Sequence, residues 1–412
     1  MNFESTLPVF LALIPLALGM ALKVAKIPFI TLRSIELITI GAIAGGVIYI
    51  QSVHATDATN LFLAGAALLS AFCVFLSQED TEQAPALCAS ALITLGLALG
   101  ILLNQGLVGR LFLISLLAYV AVPLIRDNHR NARSTMALLH SALAIILSLA
   151  SVFGPQSMSV YASLFLALTF LPVVPLHILF MKVIEGAKGI QASFWIVVWL
   201  SIGLAELNMI YSSLTTETLF TLSLLALISA VGASLSCLGQ QQYNLFIASA
   251  TVAHSALVWG LLNVFPNFPI WGVPFGISVA FVMGGLCLAF SLIRQRYGWQ
   301  ILGKLPGLAT PMPRFGMAVI LFVSFAMFMP LIPTFSGLTV MPTLAVKGSA
   351  LIMILFLFLA VWLGGSWYFS QMLHQTAFGT ARVDVPYTDL RVVEVVALSS
   401  LLIGAVYSGL VH

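Results

Sequence analysis

Residues 166–177 read Leu-Ala-Leu-Thr-Phe-Leu-Pro-Val-Val-Pro-Leu-His, an apolar run interrupted by two prolines three positions apart. Each proline removes a backbone donor and clashes with the preceding turn, so a helix entering this stretch has to stop and restart. The surrounding run, 159–181, is long enough to cross a bilayer, which takes about 20 apolar residues. The same interruption recurs at Pro330-Leu-Ile-Pro333, inside another run at 315–336. Matched breaks in two spanning segments point to a fold built from repeated halves. Irregular backbone at membrane depth persists where it is buried in protein or lines a cavity.

Working outward, the 412 residues are 61% hydrophobic and 7% charged, with a mean hydropathy of +1.11. That leaves too little polar surface to coat a water-soluble globule. The runs are continuously apolar rather than alternating, which excludes a porin-type barrel. Fourteen spans can be read, at 6–22, 35–52, 60–77, 87–103, 109–125, 136–153, 159–181, 191–213, 218–238, 245–265, 272–293, 315–336, 349–372 and 392–410. The two Pro-x-x-Pro breaks fall in spans 7 and 12, the same position in consecutive five-span units. The expected fold class is therefore an all-α polytopic membrane protein of about 14 transmembrane helices with two inverted five-helix repeats. A three-span segment over 1–86 would precede repeats at 87–213 and 214–374, and a last span would occupy 375–412.

The charges test this count independently. Fourteen of the sixteen Lys and Arg residues lie in loops that follow odd-numbered spans; Arg110 and Lys347 do not. By the positive-inside rule those loops face the cytoplasm, with both termini on the external side. The acidic start, Met1-Asn2-Phe3-Glu4, has no positive n-region, so the first run reads as a retained span. A net charge of +3 spread along loops gives no nucleic-acid patch. Cys73, Cys88, Cys237 and Cys287 fit neither a disulfide framework nor a zinc site. No phosphate loop, metal motif or nucleophile elbow appears, so neither cofactor nor metal is expected. The chain reads as no enzyme by itself.

Ordered motifs then carry a resemblance. Pro172-Val-Val-Pro-Leu-His177 resembles the K-x-P-x-x-P-L-H segment of the antiporter-like subunits of respiratory complex I. That family also includes subunits of Mrp antiporters, membrane-bound hydrogenases and inorganic-carbon-accumulating complexes. Gly239-Gln240 with Ala248-Ser-Ala-Thr-Val-Ala-His254, Leu305-Pro-Gly-Leu308 with Pro313, Pro330 to Phe335, and Phe378-Gly379 with Asp389-Leu390 and Glu394 follow in the family's order. The resemblance implies membership of a larger assembly, with other membrane subunits and a cytoplasmic protein as partners, in a bacterial inner membrane.

The departures are sharper than the matches. The family's proton-relay residues are a Glu on span 5, Lys on spans 7 and 8, a loop Lys before span 10, and Lys or Glu on span 12. On the resemblance, those positions fall here at Ala118, Phe170, Ser201, Asn244 and near Leu338. Glu206 reads as the one carboxylate well inside a span, with no Lys or Arg at any span centre. A proton path through hydrocarbon needs titratable or water-organising groups, because isolated charges there are costly.

Polar candidates remain. Glu206 is either a residual proton-binding or partner-pairing group or a neutral acid bonded near Asn208. His254 reads as a neutral imidazole bridging helices or as a relay. His177 is placed to satisfy carbonyls freed by the prolines, and Ser201 to hold water. Lys182, Glu185 and Lys188 share a short helix face, and Glu79, Asp80 and Glu82 form either a docking cluster or a solvated run. The first reading is a structural or coupling membrane subunit that does not pump by itself. The alternatives are a proton or cation translocator using a reduced path through Glu206 and His254, and a stand-alone transporter of a small neutral solute.

Overall fold

The computed structural model describes residues 3–24, 28–53, 58–126, 132–331 and 349–410. These form fifteen α-helices: α1 (Phe3–Val24), α2 (Phe29–Val53), α3 (Ala58–Ser77), α4 (Ala84–Leu103), α5 (Gly106–Arg126), α6 (Ala132–Phe153), α7 (Gln156–Phe170), α8 (Ile178–Gly186), α9 (Gln191–Ile210), α10 (Thr216–Gly239), α11 (Tyr243–Leu261), α12 (Phe268–Tyr297), α13 (Pro313–Phe328), α14 (Ser349–Thr376) and α15 (Val392–Leu410). Among the described residues no strand forms beyond a single bridge between Gln242 and Ile301. Helix is the outcome hydrocarbon imposes, since it satisfies every backbone group within its own segment.

Twelve of these helices are long and apolar enough to cross a membrane. The two shorter apolar ones, α7 and α13, are those that end at the prolines. At 15 residues α7 is too short to span alone, and the nine-residue α8 follows the break. Pro330 lies in a short 3-10 turn, Met329–Leu331, directly after α13. Pro333 and Leu338 lie outside the described residues, so the far side of the second break is not described.

The centre is α9, α11 and α12, almost wholly buried, whereas fewer than a third of the residues of α1, α2, α6 and α14 are buried, which sets these helices on the outside. Exposed Ile, Leu, Phe and Trp side chains on them, such as Phe356 and Trp367 of α14, suit a lipid boundary. Small residues set the close approaches. A Cβ on Gly19 of α1 would sit 2.7 Å from the Ala89 carbonyl oxygen, and one on Gly96 of α4 would sit 2.7 Å from that of Ala12. The two backbones therefore pack almost in contact, as small residues allow in membranes.

The alternation read from the charges is visible in which loops meet. The loop between α3 and α4, the end of α12 and the loop before α15 gather at one end of the bundle. There Glu394, wholly buried, receives both Nη2 contacts of Arg296 at 2.6 and 2.5 Å, and Arg391 at 2.8 Å. Glu79 joins them, 3.3 Å from Arg391 and 3.7 Å from Arg296. The Asp389 carboxylate caps α13, accepting from the Arg314 and Phe315 amides at 3.0 and 3.1 Å. Glu79 is thus engaged within the chain, which corrects its reading as part of a docking or freely solvated run; Asp80 and Glu82 remain exposed. Lys182 and Glu185 pair at 2.9 Å along α8, while Lys188 lies beyond its end.

Candidate functional site: the two helix breaks and the buried charges

The break after α7 exposes backbone groups at membrane depth, and neighbouring helices satisfy them. Trp199 of α9 donates its indole N–H to the Thr169 carbonyl at 3.0 Å, and Trp259 of α11 donates to that of Leu171 at 3.1 Å. Ser255 donates to the Pro172 carbonyl at 3.2 Å, and Ser229 of α10 accepts the Val174 amide at 2.6 Å. Gly203 lets α9 touch the break, because a Cβ there would lie 2.5 Å from the Leu171 nitrogen.

His177, expected to take that role, meets the break at the Pro175 carbonyl alone. It caps no helix with its side chain, and its Nδ1 has no hydrogen-bond partner among the described residues. The carbonyls of Thr169, Leu171 and Pro172 are taken by α9 and α11, and that of Pro175 lies beside the imidazole. A histidine the sequence reading passed over, His140 of α6, does reach the end of α7, with Nε2 2.9 Å from the Thr169 hydroxyl.

The second break repeats the tryptophan contact on its described side. Trp362 of α14 donates to the Met327 carbonyl at 2.9 Å. Met327 stands three residues before Pro330, as Thr169 stands three before Pro172, and each tryptophan comes from the long helix that follows the break. His254 of α11, buried, lies between the two, with Nε2 3.3 Å from the Ala326 carbonyl and Nδ1 2.9 Å from that of Ala250. A neutral imidazole has one N–H, so it can donate to only one of these carbonyls. The Tyr368 hydroxyl sits 3.2 Å from Nδ1. Tyr368 also lines a cavity of 470 Å³ that opens at the Glu394 end, with Gln240, Gln241, Gln371 and Gln375 on its walls.

Glu206 is paired, and not with Asn208. Its Oε1 receives Arg110 Nη1 at 2.5 Å, and Arg110 Nη2 donates to Ser163 at 3.2 Å, so α5, α7 and α9 are tied together near the opposite end. Glu206 Oε2 has no partner among the described residues. Arg110 was read as an edge residue because its span seemed to start at 109; α5 in fact begins at Gly106. The same displacement hid Glu36. It lies two turns inside α2, 1% exposed and beside Cys88, so Glu206 is not the only buried intramembrane carboxylate.

Of the positions the resemblance assigns to relay residues, Phe170 is wholly buried with its ring 4.6 Å from that of Trp199. Ser201 is buried, its hydroxyl unpartnered among the described residues. Asn244 donates to the Ile184 carbonyl at 3.4 Å, joining α11 to α8. Ala118 sits on the exposed face of α5, so a side chain there points away from the interior and the register drawn from Val122-Pro123 misses the inward position. No group of three or more metal-ligating side chains occurs among the described residues.

No family model and no curated protein matches the chain. Solved structures do. A chain of respiratory complex I from Thermus thermophilus superposes with a TM-score of 0.74 at 15% identity, covering 99% of this chain and 95% of that one. A chain of the membrane-bound sulfane sulfur reductase, an archaeal respiratory membrane complex, gives 0.72 at 15% identity over 98% and 76%. A chain of the Mrp complex from a Dietzia species gives 0.68 at 16% identity over 93% and 82%. The likeness is one of fold, and it extends over nearly the whole chain.

Proposed function

We propose that this chain is an antiporter-like membrane subunit of a multi-subunit ion-coupled complex, structural or coupling in role and not proton-pumping by itself. The carrying observation is the interior beside the first break. There the Phe170 and Trp199 rings lie tilted against each other, 4.6 Å apart, within a fold that matches chains of three such complexes over 93–99% of this chain. A buried aromatic pair neither titrates nor orders a water file. Arg110 neutralises Glu206 in place, so the carboxylate has a charge partner already.

In this reading the chain packs beside other membrane subunits of the same fold and is not an enzyme on its own. The end bearing Lys182, Lys188, Lys304 and Arg314 faces the cytoplasm and receives a soluble partner. The host is a bacterial inner membrane, with both termini on the periplasmic side. The complex is of the complex I, Mrp, hydrogenase or inorganic-carbon-accumulating kind.

A second reading has one observation in its favour. The glutamine-lined cavity reaches Tyr368, which touches His254, so a translocating path through His254 and Glu206 has an entrance at one end. The deciding experiment is purification in mild detergent from native membranes, followed by flux measurements on the purified complex. Co-purification of further membrane subunits, with flux unchanged by Glu206→Gln and by His254→Ala, is the expected result. Normal assembly with flux abolished by either change establishes the translocator instead. A chain that purifies alone and carries a neutral solute overturns both readings.

A further inference from the structure

Glu36 stands seven positions after Phe29, the first residue of α2, which sets it about 10 Å along the helix from its start. That start lies at the Glu394 end of the bundle. Arg33 Nη2 donates at 2.7 Å to the carbonyl of Leu76, next to last in α3, and Glu79 follows three residues later. The Leu76 carbonyl is among the last four of its helix, which no intrahelical amide reaches, and a guanidinium is a favourable partner there. Arg33 is thereby committed to α3. Glu36, one turn deeper on the same face of α2, is left without an ion pair among the described residues. It is 1% exposed, and its Oε1 has no hydrogen-bond partner there.

A carboxylate buried without a partner is far costlier than the neutral acid, so such a group keeps its proton. At membrane depth an acid of this kind marks a route or store for protons or ions more often than a packing element. Its neighbours do not neutralise it. Of the helices packed on α2, α3 carries Cys73 and α4 carries Cys88 as their only ionisable side chains, and Cys88 is the one beside Glu36. α1 ends with Lys23, whose ammonium lies over the Tyr119 ring at 5.5 Å, and its Glu4 is at the far end. We infer that Glu36 is a proton-binding site whose occupancy decides where Arg33 bonds. With the proton bound, Arg33 holds the Leu76 carbonyl. With the proton gone to solvent, the carboxylate draws Arg33 to itself, three positions away on one helix, and the end of α3 is released. Three residues beyond Leu76, Glu79 lies 3.3 Å from Arg391 and 3.7 Å from Arg296. The state of Glu36 is therefore passed to the Glu394 cluster.

The test uses the full chain with whatever subunits co-purify, followed by infrared spectroscopy as pH is raised. At neutral pH, subtracting the spectrum of Glu36→Gln from that of the native chain should leave one protonated-carboxyl band, which is lost as pH rises further. Amide hydrogen exchange over 74–80, corrected for the intrinsic effect of pH, should increase several-fold across the same pH range. In Glu36→Gln, which cannot ionise, that exchange should stay slow throughout, and in Arg33→Gln it should be fast throughout. Should Glu36→Gln fail to fold, the native chain is treated with an apolar carbodiimide, which adds to protonated carboxyls. Peptide mass spectrometry should then find Glu36 modified at neutral pH and spared at high pH. A difference spectrum with no protonated-carboxyl band at neutral pH, or a Glu36 that the carbodiimide never modifies, overturns the site. Exchange over 74–80 that rises with pH equally in Glu36→Gln overturns the coupling through Arg33.

Discussion

Arg110 and Glu206 are 96 positions apart in the chain and 2.5 Å apart in space. Removing one partner of a buried ion pair strands the other charge and costs about 3–5 kcal/mol, whereas replacing both with apolar residues is often neutral. Arg110→Met alone should therefore lower the thermal midpoint in detergent sharply, and Arg110→Met with Glu206→Met should recover most of it. A double variant no better than the single one would mean that the two charges do not depend on each other. Glu206 was legible in the sequence because a carboxylate inside an apolar run is conspicuous. Arg110 was not, because a basic residue at a span edge serves topology equally well and nothing local reveals a partner on another helix. Phe170, placed from the motif beside it, is buried against Trp199. Ala118, anchored on a less distinctive pair of residues, lies on the outer face.

For a helix, the decisive feature is how its interruption is completed. Trp199 and Trp362 each donate to the carbonyl three residues before a break proline. Deleting one indole N–H leaves a buried acceptor unpaired, at about 1–3 kcal/mol. Trp199→Phe should raise amide hydrogen exchange across 168–174 while leaving the end of α13 protected, and Trp362→Phe should do the converse. Exchange that rises at both breaks in either variant would show them to be one cooperative unit. Gly203→Ala should be worse than either, since its methyl would lie 2.5 Å from backbone nitrogen and cannot be relieved by a side-chain rotation. A marked loss of folded, monodisperse protein is the expected result. The prolines announced where the helices stop. Which side chains would satisfy the opened backbone depended on packing between α7, α9 and α11, and no spacing along the chain encodes that.

Across the whole molecule, the sequence was most informative where the physics is averaged over many residues. Apolar runs and the partition of Lys and Arg produced the order of spans, and the gathering of Glu79, Arg296 and Glu394 at one end agrees with it. The helix edges were less legible, because hydropathy falls gradually and helices continue past it, as Glu36 and Arg110 show. The described structure provides a clean topology assay, since all four native cysteines are buried. Glu82→Cys and Val383→Cys, at exposed positions of the Glu394 end, should react with an impermeant maleimide only in inside-out vesicles. Leu107→Cys, near the other end, should react only in right-side-out cells. The opposite pattern would invert the orientation proposed above.

The cluster around Glu394 bears on how the chain is made. Arg296 enters the bilayer surface with α12, long before the ribosome reaches Glu394, and the cap on α13 awaits Asp389. Until α15 is threaded, Arg296 has only Glu79, 3.7 Å away, as a carboxylate partner in this cluster, and the start of α13 lacks its cap. Insertion of α15 is therefore the step that completes this cluster. A nascent chain stalled before it would carry a less neutralised basic end than the chain that includes α15.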